Sequence, residues 1–174
     1  PFPPKRSSGS ASPGDGAFMS DDDATQTAPR ILVCGSRTWG NYLPGMRRPE
    51  ILAADIDRPG GWIEFFSLWT LLAGIVGQHE TATIVHGACP KGADAIADRF
   101  ARRHDLDVDP HPADWERYGR SAGYVRNAEM VHTLDRTNRD HLVVAAWNGR
   151  SRGTKHTIDT ANRLGIRVIT LTSN

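Results

Sequence analysis

The chain has 174 residues, a length that suits one domain, and its 39% apolar and 24% charged residues can support a core. The formal net charge is +1 and no basic run occurs, which argues against a partner held mainly through a nucleic-acid backbone. No apolar stretch reaches the roughly 18–20 residues of a membrane span, and no apolar signal segment opens the chain. Two cysteines, Cys34 and Cys89, make neither a disulfide framework nor a metal cluster, so a reducing cytoplasm is the expected address.

Residues 1–29 are rich in Pro, Ser, Gly and Asp and carry little to bury, so they read as a disordered tail. Met19 is a candidate natural start, residues 1–18 then being an expression scar or upstream readthrough. Residues 30–174 read as the folded domain. "RILVCGS" is a buried strand ending in Gly-Ser, with Cys34 as a small buried residue. Residues 39–61 form a long loop of the lid-like kind, in which "EILAADI" can make a helical turn. "WIEFFSLWTLLAGIVGQ" has helical length and a broad apolar face. That face fits core packing or, alternatively, a homo-oligomer interface.

"TATIVHGA" is the second strand. The amphipathic helix "KGADAIADRFARRHD" follows, with Ala93, Ile96, Ala97, Phe100 and Ala101 on one face. "LDVDPHPAD" is a third, less apolar strand that belongs at an edge. "SAGYVRNAEMVHTLDR" is a helix, "DHLVVAAW" the most apolar strand, "GTKHTIDTANRLG" a helix stopped by Gly165, and "IRVITLT" the last strand. This alternation calls for an α/β fold, a Rossmann-like three-layer sandwich around a five-stranded, mainly parallel sheet.

In such a sheet ligands bind beyond the carboxyl ends of the strands, where strand order reverses. Adjacent first and fourth strands would bring three glycine-bearing loops together there. "GSRTW" supplies Gly35, Ser36 and Arg37, and "HGACPKGAD" supplies Gly87, Lys91 and Asp94. "WNGRSRGT" supplies Gly149, Arg150, Ser151, Arg152, Gly153 and Thr154. A helix start presents unpaired N–H groups and a positive dipole end, glycines allow close approach, and arginines add charge-assisted contacts. An anion, with phosphate the first candidate, is expected against the N–H groups of residues 150–154. Neither a Walker A loop nor a dinucleotide G-x-G-x-x-G is present. A tight strand-to-helix turn accounts for any one of these loops alone.

"GSRTW", "VHGACPKGADAIAD", "PADWERYGRSAGYVRNAEM" and "AWNGRSRGTKHTIDTA" together resemble the YspA-like branch of the SLOG superfamily. That superfamily also holds the lonely-guy phosphoribohydrolases and the DNA-processing protein DprA. The resemblance spans about residues 31–172 and implies a Rossmann-like fold and a nucleotide-derived ligand; no metal or other cofactor is expected. The hydrolases' P-G-G-x-G-T-x-x-E loop is matched by "NGRSRGTKHT" at Gly149, Gly153 and Thr154, but Thr157 stands where their catalytic Glu would be. Their R-K-x-x-M stretch is matched by Arg126 and Met130, with Asn127 in place of Lys. The resemblance thus implies ligand-binding roles for Arg126 and Asn127.

Hydrolysis of a nucleoside 5′-monophosphate, the alternative to simple binding, needs a carboxylate. The candidate catalytic set is Asp114, Glu116 and Arg126; Asp114 equally suits a helix cap, and Asp94 suits a helix start. Glu129 reads as solvated or paired. Trp39, Trp115, Tyr118 and Tyr124 suit a base or ordinary packing. Arg120 and Arg126 are six apart and so fall on different faces of one continuous helix. The histidines lack zinc-like spacing, and His104, His132 and His141 read as surface or helix-end residues. A DprA-like nucleic-acid module is the third reading, disfavoured by the weak charge.

Overall fold

The structure is a computed structural model and describes residues 28–41 and 61–173. Five strands alternate with helices: β1 (Arg30–Gly35), α1 (Gly61–Val76), β2 (Thr83–His86), α2 (Ala93–Arg103) and β3 (Asp107–Pro110). The short α3 (Trp115–Tyr118) leads through a 3₁₀ turn at Gly119–Ser121 into α4 (Ala122–His132). Then come β4 (Leu142–Trp147), α5 (Arg152–Arg163) and β5 (Arg167–Thr172). All neighbouring strands are parallel, in the order β3-β2-β1-β4-β5. The first and fourth strands are therefore adjacent, and the strand order reverses between them. Most of the 39–61 loop, including "EILAADI", lies outside the described residues.

Alternate residues of the central strands feed two apolar layers. Ile31, Val33, Ile84, Leu142 and Val144 pack with Leu68 and Leu72 of α1 and Ile96 and Phe100 of α2. Leu32, Val85, Val143 and Ala145 face the other way, onto Met130 and Val131 of α4 and Ala161 of α5. Helices thus cover both faces, as a Rossmann-like three-layer fold requires. β3 is the half-exposed edge strand its composition called for. α1 puts Leu68, Leu72 and Ile75 in the core and leaves Ile63 and Phe66 exposed.

The end of β1 has no room for a side chain. A Cβ at Gly35 would lie 2.5 Å from the Ala93 Cβ and 2.7 Å from the Ala146 carbonyl oxygen. At Gly92, φ is +73°, and a Cβ would strike the Ser36 carbonyl and come within 2.7 Å of the Arg37 Cα. The loop leaving β1 thus rests directly on the start of α2. Gly35→Ala is expected to destabilise the fold by about 1–3 kcal/mol through overpacking, read as a lower urea midpoint with an unchanged slope.

Candidate functional site

The parallel strands point their carboxyl ends at one edge, and a cavity of about 520 Å³ opens there. It lies where the loops after β1, β2 and β4 meet the start of α4. Gly35, Ser36 and Arg37 line it from β1, Lys91 and Asp94 from the α2 side, and Arg126 and Asn127 from α4. Arg150, Ser151, Gly153 and Thr154 line it at the start of α5. Trp115 and Tyr124 stand at the same cavity, 54% and 41% exposed. Trp39 is instead buried, its indole N–H donating to the Glu64 carbonyl, and Tyr118 is outside the lining.

The loop before α5 is organised by its own side chains. The Asn148 Oδ1 accepts from the N–H groups of Arg150 and Ser151, at 3.1 and 3.0 Å. Ser151 is the N-cap and accepts from the Thr154 N–H at 3.3 Å and the Thr154 hydroxyl at 2.8 Å. Three of the five N–H groups expected to face an anion are therefore engaged. Those of Arg152 and Gly153 have no acceptor among the described residues. Gly149, at φ +73°, serves the turn and is outside the lining, as is the exposed Arg152 side chain.

Arg126 is tied to protein groups. Its guanidinium donates to the carbonyls of Gly87 and His111, and its Nε donates to the Asn127 Oδ1 at 2.9 Å. Asp94 faces it at 4.0 Å. A Cβ at Gly87 would collide with that guanidinium, so Gly87 makes room for Arg126 and does not itself line the cavity. Asn127 is buried and donates at 3.0 Å to the Gly153 carbonyl. A continuous chain of contacts thus runs from Asp94 through Arg126 and Asn127 to the start of α5.

Asp114 and Glu116 of the candidate catalytic set stand away from the cavity, and of the two readings open for Asp114 the helix cap is the one found. Asp114 is exposed and caps α3, accepting from the Arg117 N–H at 2.9 Å. Glu116 is exposed, and both lie outside the lining. The cap position turns the Asp114 carboxylate back onto its own helix and so away from the cleft. Asp94 is the single carboxylate of the lining among the described residues. Burial pushes its carboxyl above the usual range, offset in part by Arg126 and by the Cys89 and Gly87 N–H groups. Its first-turn position in α2 was legible; its burial beside Arg126 was not.

Arg120 and Arg126 both line the cavity, because Arg120 lies in the 3₁₀ turn and not on α4. At the floor, Thr157 is fully buried and donates to the Gly153 carbonyl at 3.2 Å. Burial pushes the neighbouring Cys34 thiol up to about 12, so it stays protonated. Among the described residues no group of three or more His, Cys, Asp or Glu is placed to hold a metal ion. No helix among them is long and apolar enough to cross a membrane.

His141 is buried, against expectation, while His104 and His132 are exposed at helix ends. His86 is buried below the second loop. Its Nδ1 accepts from the Ala88 N–H, which leaves the proton on Nε2, 3.5 Å from Asp98. Burial lowers its pKa, outweighing Asp94 and Asp98, which raise it. A histidine with a depressed folded pKa contributes stability that is full above the unfolded value near 6.5 and lost as pH falls below it. His86→Asn should therefore flatten the fall in urea midpoint between about pH 7.5 and pH 5.5 relative to the wild type. An unchanged pH profile in that variant would assign the acid sensitivity elsewhere, with His141, also depressed by burial, the next candidate.

Residues 29–118 match the family described as YspA, cpYpsA-related SLOG family. The Gene 61 protein of Mycobacterium phage D29 is 40% identical over 146 residues, covering 80% of this chain and 94% of that protein. No solved structure matches. The chain belongs to the YspA, cpYpsA-related SLOG family.

Proposed function

We propose that the cleft binds a nucleotide or ADP-ribose-like ligand, with a phosphate on the start of α5 and the base against Trp115 and Tyr124. One observation carries this reading: a single cavity joins several cations and two exposed aromatic rings with a helix start whose Arg152 and Gly153 N–H groups have no acceptor among the described residues. The helix end and the cations suit a phosphate, and exposed rings supply stacking surface. SLOG membership supports nucleotide chemistry. A ligand present at 100 times its dissociation constant should stabilise the protein by about 2.7 kcal/mol. A thermal-shift series with AMP, ADP-ribose, cyclic ADP-ribose and NAD reads this directly. Gly153→Val should abolish the shift by crowding the phosphate position; a folded variant that still responds would reduce the loop to a turn.

Asp94 favours a second reading, hydrolysis of the ligand's N-glycosidic bond. Water would add to the sugar C1′ as the bond to the base breaks. The bonding pair would leave with the base, and Asp94 would take the water's proton. Asp94→Asn is expected to lower base release from nucleoside 5′-monophosphates by about 10²–10⁴-fold, followed by chromatography. Wild-type protein that binds these ligands and releases no base would leave the binding reading alone.

A further inference from the structure

The charges of the cleft do not balance for a ligand with one phosphate. Six charged side chains line it: Arg37, Lys91, Asp94, Arg120, Arg126 and Arg150. Asp94 and Arg126 face each other, and Arg126 is held by two carbonyls as well. The other four cations make no hydrogen bond or ion pair among the described residues. They come from four separate segments: the turn after β1, the loop after β2, the 3₁₀ turn before α4 and the loop before α5.

All four charges line one cavity of about 520 Å³, so they act together on whatever occupies it. Gathering four unpaired cations around one hollow raises the energy of the empty protein and lowers that of an anionic complex. A phosphomonoester carries about −1.5 to −2 at neutral pH, which leaves roughly two of the cations uncompensated. Two phosphate groups match the surplus. The cavity is also within the range of about 300–1,000 Å³ typical of small-molecule sites, so a second phosphate and a base fit together.

We propose that the natural ligand carries two phosphate groups, as a nucleoside diphosphate or a bisphosphorylated nucleoside. Arg37 and Lys91, on the loops after β1 and β2, serve the phosphate that does not sit on α5. This rests on the nucleotide reading above and adds the ligand's charge to it.

Isothermal titration at low salt with AMP and ADP, GMP and GDP, CMP and CDP, and adenosine 3′,5′-bisphosphate tests it. A two-phosphate ligand should bind at least tenfold tighter than its monophosphate. The diphosphate and 3′,5′-bisphosphate arms distinguish contiguous from separated phosphates. Arg37→Gln and Lys91→Gln replace exposed side chains, so the fold is not at stake. Each should weaken the two-phosphate ligand more than the monophosphate, narrowing the ratio between them. Equal affinity for mono- and two-phosphate ligands in the wild type would overturn the inference and leave the nucleotide reading standing. Absence of binding across the whole set would overturn the inference, and absence of a thermal shift with ADP-ribose, cyclic ADP-ribose and NAD as well would overturn both.

Discussion

The cleft depends on a steric constraint at the end of β1. Gly35 lies against Ala93 and Ala146, and Gly92 lies against the backbone of Ser36 and Arg37. Without side chains at these two positions, the loop leaving β1 seats directly on the start of α2. The same contact sets Asp94, one residue further along α2, beside the cleft. Glu64 holds the far side of that loop, its carboxylate accepting from the Gly40 N–H and its carbonyl from the Trp39 indole. A larger residue at either glycine would separate strand from helix and move every group that follows.

From that contact a second level of order is built from polar groups. Asp94 accepts from the Cys89 N–H and faces Arg126. Arg126 reaches the carbonyls of Gly87 and His111, and Asn127 reaches Gly153. Three loops that are far apart in the chain are thereby held in one arrangement before any ligand arrives. Such a network is costly when broken, because a buried carboxylate or guanidinium left alone loses its compensation. It also divides the basic residues into two kinds. Arg126 is committed to the protein, while Arg37, Lys91, Arg120 and Arg150 line the opening without a partner among the described residues. In the proposed reading, binding and internal support fall to different cations of the same cleft.

Much of this protein was legible in the sequence because it rests on local periodicity. The apolar runs of β1, β2 and β4 and the face of Ala93, Ile96, Ala97, Phe100 and Ala101 declare themselves within a few residues. The edge position of β3 follows from its poverty in apolar side chains. Strand–helix alternation restricts the topology to parallel crossovers, and with it the end of the sheet where a ligand sits. The glycine-bearing loops around that end were therefore identifiable before any coordinates. So was the departure at Thr157, which now proves to be fully buried.

The tertiary structure decided which polar groups face the cleft. Asp114 and Asp94 both sit at helix starts, and a sequence cannot tell a cap turned onto its own helix from a carboxylate packed against Arg126, 32 residues away. Asn148 and Ser151 take up three N–H groups that the sequence left open for a ligand. A break into 3₁₀ geometry at Gly119–Ser121 brings Arg120 to the same cavity as Arg126, which a continuous helix would have forbidden. In each case the outcome depends on distances between groups that are remote in the chain or on a local choice between competing hydrogen bonds. Neither leaves a periodic trace. The sequence by itself therefore determined the fold and the position of the cleft, while packing alone determined its chemistry.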